Sequence, residues 1–279
     1  MIDLTPRNLH IVAQYEDGED ARHFSFCIDL PQASDLAARA GQFFMLTVPG
    51  LGEAPFTYVS PPDKRGHFNA LIRRTGSLTA ALFDRVQDPV LGYRGPFGKG
   101  WPSLKSARRV LVVAGGCGLA PLAGVIDGAI NHPGAACLSV LYGARHASSQ
   151  VLSREREHWR LALPWIETFD VAPVGHRQGS PLAYLDELFG DEPPDTVLCC
   201  GPEPFMLATA RDCMKRGVAD SRIWLSVERR MHCADGLCGH CYVGESYACR
   251  DGPTYRYNDY RRLLASASMG PAGQDSGLC

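Results

Sequence analysis

Four cysteines fall within 17 residues, Cys233, Cys238, Cys241 and Cys249, in the spacing C-x4-C-x2-C-x7-C. The first three match the plant-type [2Fe–2S] arrangement. Four thiolates are what such a cluster needs, because each iron completes a tetrahedron with two protein sulfurs and two bridging sulfides. A loop supplying three ligands must wrap closely, and Gly236 and Gly239 relieve the crowding, while Gly244 serves the turn back toward Cys249. A structural zinc site in an assembly subunit remains the alternative, although zinc more often uses two C-x2-C knuckles and only one is present. His232 and His240 flank the thiolates as surface or supporting groups rather than as ligands.

Two glycine turns carry a second kind of chemistry. Gly115, Gly116, Cys117 and Gly118 follow an apolar run and precede a helical pattern containing Ala120 and Pro121, which would aim backbone N–H groups at a pyrophosphate. The last glycine of the dinucleotide fingerprint is absent, so a tight strand-to-helix turn is the competing reading. Cys200-Gly201-Pro202 follows another apolar run and opens another helix. Both turns would then lie at the C-terminal edge of one parallel sheet, where open α/β folds bind ligands.

These groups need elements to position them. Residues 10–98 contain short alternating or apolar runs, among them 24–28, 42–48 and 68–73, broken by Gly, Pro and Asp, with one helical patch at 79–86 that Thr79 or Ser77 would cap. That predicts an antiparallel β-barrel or sandwich over residues 1–102. Beyond it, buried-strand candidates at 110–114, 137–142, 165–170, 196–200 and 223–226 alternate with helical stretches at 119–130, 181–189 and 204–216. The expectation is a doubly wound parallel-sheet α/β domain over 103–226, with the boundary near 99–107. Residues 227–264 form the cysteine segment; without periodicity through 260, they would take their order from a metal centre rather than from a core. Residues 265–279 read as a flexible tail.

The chain has 279 residues, 45% apolar and 21% charged, with a formal net charge of −2, which suits a globular protein and gives no electrostatic footprint for nucleic acid or a membrane surface. Eleven cysteines are many for a reducing compartment, but seven are scattered, mostly in apolar stretches where a thiol behaves as a small hydrophobe. With no signal-like start and no apolar run of about 18 residues, a soluble, cytoplasmic protein is expected.

Taken in order, an N-terminal β-domain, two glycine turns and a cysteine loop resemble the ferredoxin–NADP reductase superfamily over nearly the whole chain. The resemblance implies a flavin-binding β-barrel for FAD, an α/β domain for NAD(P)H and an appended [2Fe–2S] segment. The family's flavin motif, Arg-x-(Tyr/Phe)-(Ser/Thr), falls on Ala54-Pro55-Phe56-Thr57, with Phe56 stacking on the flavin and Thr57 hydrogen-bonding near its reactive N5 edge. The motif's arginine is missing, and Arg73 or Arg74 would replace it. Leu71-Ile72-Arg73 and Gly76-Ser77-Leu78-Thr79 match a second flavin segment, and 95–98 resembles the Gly-Pro-x-Gly before the domain junction. The glycine turns, from Gly115 to Pro121 and at Gly201 and Pro202, would hold the nicotinamide nucleotide, with Cys200 near the hydride path. After the second α/β strand, Arg145 stands where a ribose 2′ position is expected, with Arg154 and Arg156 further on. Guanidinium groups suit a 2′-phosphate, yet Tyr-Gly-Ala-Arg also occurs in relatives that use NADH.

The run 224–231, the cysteine loop and 249–253 are similar to the gamma (diaphorase) subunits of cytosolic NiFe hydrogenases, or sulfhydrogenases, and to the B subunit of anaerobic sulfite reductase. The electron-transfer subunit of dihydroorotate dehydrogenase is more distant. This narrower resemblance implies a subunit that moves electrons between NAD(P)H, FAD, the cluster and an iron–sulfur partner, a hydrogenase subunit first.

Overall fold

The computed structural model describes residues 5–84, 90–132, 136–190 and 192–268. The first part is a six-stranded antiparallel sheet of β1 (Arg7–Glu16), β2 (Ala21–Ile28), β3 (Phe43–Val48), β4 (Gly52–Thr57), β5 (His67–Arg73) and β6 (Leu91–Phe97) in the order β4-β3-β6-β1-β2-β5. A bridge between Ser60 and Asn69 brings the chain beyond β4 onto β5, so the two ends of the sheet curl together like a barrel. Alternating residues fill the interior, where Phe24, Phe26, Phe44, Phe68 and Tyr93 are buried and the Phe44 and Phe68 rings meet edge to face with centroids 4.8 Å apart. The short α1 (Ala33–Leu36) and α2 (Ser77–Asp84) interrupt the strands. α2 starts two residues earlier than the apolar spacing suggested; Arg85 and Val86, placed in that helix by the sequence, lie outside the described residues.

The second part is a seven-stranded sheet built on β7 (Arg109–Gly115), β8 (Cys137–Ala144), β9 (Trp165–Phe169), β10 (Arg177–Gln178), β11 (Thr196–Cys200) and β12 (Ile223–Ser226), all parallel, in the order β10-β9-β8-β7-β11-β12. Apolar runs such as Val110 to Ala114 are buried on both faces, as a doubly covered parallel sheet requires. The packed helices are α3 (Ala123–Asn131), α4 (Ser153–Ala162), α5 (Leu185–Phe189) and α6 (Glu203–Lys215). The helix expected over 119–130 divides: residues 116–122 wind as a tight 3₁₀ stretch containing Pro121, and the α-helix begins only at Ala123.

Residues after 226 depart from the sequence reading more strongly. They are ordered by a core, with Val227, Met231, Ala234, Val243, Tyr255, Tyr260 and Leu263 buried in one cluster with Leu111, Val197 and Leu225 of the parallel sheet. After a small hairpin, β13 (Tyr242–Val243) and β14 (Ser246–Tyr247), and a turn of helix, α7 (Ala248–Asp251), the strand β15 (Thr254–Arg256) pairs antiparallel with β12 as the seventh strand. α8 (Tyr257–Ser268) follows, and residues 269–279 lie outside the described residues. Three residues of β15 give too short a pattern to read, and its order comes from its neighbour. No helix among the described residues is long and apolar enough to cross a membrane.

The barrel and the parallel sheet are latched by Asp17, 2% exposed, in the turn between β1 and β2. Its carboxylate accepts from the Leu152 and Ser153 amides at 2.9 and 3.0 Å and from the Ser153 hydroxyl at 2.9 Å, capping α4 from another part of the chain. Asp17→Ala should cost about 1–2 kcal/mol, seen in thermal unfolding as a melting temperature lower by roughly 2–8 °C, whereas Asp17→Asn should lose less because one acceptor oxygen remains.

Candidate active site

Parallel strands in register bring their C-terminal ends to one edge. Ala114 stands opposite Cys200, and Cys200 opposite Ser226, so the glycine turn, the Cys200–Pro202 turn and Val227-Glu228 converge there. Gly116 has φ +54° with open space where a Cβ would stand, a left-handed residue beside a free approach. Gly118 differs: a Cβ there would sit 2.4 Å from the Cys200 carbonyl oxygen and 2.7 Å from the Gly201 nitrogen. Its glycine is required because the two turns nest, and that nesting, rather than a ligand, occupies the space beside it. Ala120 is buried, while Gly115, Cys117, Pro121 and Gly201 are half-buried and Pro202 is exposed.

The barrel's contribution faces the same edge. Burial raises the pKa of the Cys117 thiol in the glycine turn, and the charge of Arg73, exposed at the end of β5, opposes that rise. Arg74 is instead held by Asp84 at 3.1 Å, which leaves Arg73 as the better replacement for the missing motif arginine. Leu71 is half-buried, but Ile72 points into the barrel core, so only its backbone can meet a ligand. Ala54, Pro55, Phe56 and Thr57 are all half-buried on β4. At α2, Gly76, Ser77 and Leu78 open the helix, and Thr79 acts from inside it: its hydroxyl accepts from the Thr75 and Gly76 amides at 2.9 and 3.1 Å. The Ser77 and Leu78 amides remain at an accessible helix start, which suits a phosphate.

Cys200 is buried, its thiol lies 3.7 Å from the Ser226 carbonyl, and burial first, then Glu228, push its pKa up to about 12. It is a neutral wall at neutral pH, not a thiolate. Glu228 is the residue that sequence reasoning missed: exposed beyond β12, its charge reaches both Cys117 and Cys200. Its one sequence signal was an acidic side chain just past a buried strand. Arg145 is exposed immediately after β8. Arg156, considered for a nucleotide phosphate, is instead buried and spends its fork on the Val151 carbonyl and Glu167, and Arg154 lies 3.8 Å above the Tyr15 ring.

The four cysteines come together as two pairs. The Cys238 backbone amide donates to the Cys233 sulfur at 3.4 Å, and the Cys241 and Cys249 sulfurs stand 3.3 Å apart. Backbone amides of Asp235, Leu237 and Cys238 point at the Cys233 sulfur from 3.3–3.4 Å, and that of Gly236 at the Cys249 sulfur from 3.2 Å. Amides aimed at sulfur stabilise anionic, metal-bound thiolate. The His240 amide, the largest cause, draws the Cys238 thiol down to about 7, and burial pushes Cys249 up to about 12. Four thiols on one loop, with backbone amides aimed at two of their sulfurs, are a donor set that fits an iron–sulfur cluster.

The loop is tied to the barrel by Arg94 on β6. Its fork grips Glu53, its remaining nitrogen donates to the Cys233 carbonyl at 3.2 Å, and Thr47 donates to Glu53 at 2.9 Å. Arg94 is 8% exposed, and leaving one charge of such a pair alone costs about 3–5 kcal/mol.

Barrel, nucleotide sheet and cysteine loop together have the ferredoxin–NADP reductase fold, and the chain is an iron–sulfur flavoprotein electron-transfer subunit with an NAD-binding domain. The oxidoreductase NAD-binding domain family matches residues 112–211, and the iron–sulfur cluster binding domain of dihydroorotate dehydrogenase B matches residues 228–260. The chain is 30% identical to sulfhydrogenase 2 subunit gamma of Pyrococcus furiosus over 92% of each chain. It is 33% identical to a probable dihydroorotate dehydrogenase B electron transfer subunit of Methanopyrus kandleri over 77% of this chain and 78% of that one. A chain of the NADH-dependent reduced ferredoxin–NADP oxidoreductase shares the fold, with a TM-score of 0.74 and 23% identity over 95% of this chain and 94% of that chain. The chain belongs to the family of sulfhydrogenase gamma and dihydroorotate dehydrogenase B electron-transfer subunits.

The two glycines should separate in mutagenesis. Gly118→Ala drives a Cβ into backbone and should lower the melting temperature and flavin retention together. Gly116→Ala, straining one left-handed residue by about 1 kcal/mol, should fold, bind flavin and slow reduction by NAD(P)H while dithionite still reduces it. Alkylation with iodoacetamide at pH 8 followed by mass spectrometry should label the exposed Cys137 and spare Cys200, whose raised pKa keeps it protonated there.

Proposed function

We propose that this chain is the diaphorase subunit of a cytosolic NiFe hydrogenase, exchanging electrons between NAD(P)H and the partner's iron–sulfur chain. The observation that carries the reading is the match to a sulfhydrogenase gamma subunit at 30% identity along 92% of both chains. A flavin supplies the conversion between a hydride's two electrons and a cluster's one, and the chain supplies the placement. Phe56 would stack on the flavin, Thr57 would hydrogen-bond near its reactive edge, and the α2 start with Arg73 would hold the pyrophosphate. Gly116 would admit the nucleotide's pyrophosphate to the turn, Gly201 and Pro202 would shape the opposite wall, and Cys200 would close the nicotinamide end as an uncharged surface. Cys233, Cys238, Cys241 and Cys249 would hold the cluster, which would pass single electrons to the partner. Partners are iron–sulfur subunits, since the family members work within multisubunit complexes. A dihydroorotate dehydrogenase partner is the second reading, favoured by the match at residues 228–260.

The cluster assignment is tested by Cys238→Ser, which should remove or severely perturb the reduced cluster's electron paramagnetic resonance signal, while Cys137→Ser leaves it intact. The partner is tested by purifying the complex from its source. Nickel and hydrogen-dependent reduction of NAD(P) in the co-purified fraction are expected; dihydroorotate oxidation without nickel would transfer the chain to the second reading. Comparing kcat/KM for NADH and NADPH, with Arg145→Ala, reads the nucleotide preference: if Arg145 meets a 2′-phosphate, its loss should weaken NADPH use about tenfold or more and leave NADH nearly unchanged.

A further inference from the structure

The ion pair of the buried Arg94 and the half-buried Glu53 joins the strand that carries the flavin segment to the loop that carries the cluster cysteines. Glu53 precedes Ala54 on β4, and Arg94 reaches it across β3, where Leu46 and Thr47 pair with Ala54 and Glu53. The same guanidinium donates to the carbonyl of Cys233, the first cysteine of the cluster loop, and lies over the Phe97 ring at 5.5 Å. One side chain therefore spans from the barrel to the cysteine loop, and among the described residues its ion-pair partner, Glu53, lies on the barrel side.

Reducing the cluster adds one negative charge beside Cys233. A guanidinium hydrogen-bonded to that residue's carbonyl favours the reduced form, and a carboxylate nearby opposes it; with the Arg94 and Glu53 side chains 8% and 20% exposed, neither effect is fully screened. We propose that Arg94 and Glu53 are positioning residues that hold the cluster loop against the flavin strand and set the cluster's reduction potential by the balance of their two charges. The inference rests on the assignment of the four cysteines to a [2Fe–2S] cluster.

The test is an equilibrium titration of purified Glu53→Gln and Arg94→Gln proteins, following the reduced cluster by electron paramagnetic resonance at fixed ambient potentials set by mediators. Glu53→Gln leaves the guanidinium unbalanced and should raise the ratio of reduced to oxidised cluster at least about threefold, where tenfold corresponds to 59 mV for one electron. Arg94→Gln leaves the carboxylate unbalanced and should lower the ratio by a similar factor. A pair that only held the fold together would lower the melting temperature of both variants without opposite shifts in the ratio. Unchanged ratios, or shifts of the same sign, overturn the proposal. If Arg94→Gln does not accumulate, Glu53→Gln decides alone, and a ratio that fails to rise overturns it. Wild-type protein lacking any [2Fe–2S] signal would instead remove the cluster assignment itself, so the two failures are distinguishable.

Discussion

The pairing of β15 with β12 is the interaction on which the arrangement of the three parts depends. It brings the chain that leaves the cysteine loop back to the sheet edge and to the domain junction at once. The Lys99 amide donates to the Gly252 carbonyl, and the Thr254 hydroxyl lies 3.0 and 2.8 Å from the Lys99 and Gly100 carbonyls. A Cβ on Gly98 would stand 2.7 Å from the Gly252 oxygen, so the linker and the returning strand are in contact at the backbone. Buried backbone groups must find partners, and here those of the linker and of the C-terminal strand find each other. The cysteine loop is thereby held between β12 and β15 and cannot swing away as a separate module.

That constraint explains why the cysteine segment shares a core with the nucleotide sheet. Tyr255, Tyr257, Tyr260 and Leu263 pack with Leu225 and Cys213, covering a sheet face that short helices alone would leave exposed. The Tyr260 hydroxyl and Arg229 both bond Glu203 at the first turn of α6. The helix that opens from the Cys200–Pro202 turn is thus braced by the segment bearing the cluster, and the nucleotide edge and the cysteine loop are parts of one packed unit.

Much of this was legible in the sequence, for identifiable reasons. The cysteine spacing, the glycine turns and the buried parallel strands are local patterns, and the structure places them where those patterns imply. The missed features depend on distant partners. β15 is ordered by β12, Asp17 caps a helix 135 residues away in the chain, and Arg94 has meaning only beside Glu53 and Cys233. Gly118 shows a subtler limit: its glycine was readable, but the atom that excludes a side chain, the Cys200 oxygen, belongs to the other turn. Arg156 had the right chemistry for a phosphate and the wrong surroundings, since Glu167 and the Val151 carbonyl already hold its fork.

The most direct test of the account is an anaerobic titration of the purified protein with NAD(P)H, followed by visible absorption and electron paramagnetic resonance. An iron–sulfur flavoprotein should show flavin bands over broad cluster absorption, bleach both, develop the signal of a reduced [2Fe–2S] cluster and take up about three electrons per chain, two on the flavin and one on the cluster. A colourless protein containing zinc, or a flavin that bleaches with about two electrons while no cluster signal develops even with dithionite, would contradict it.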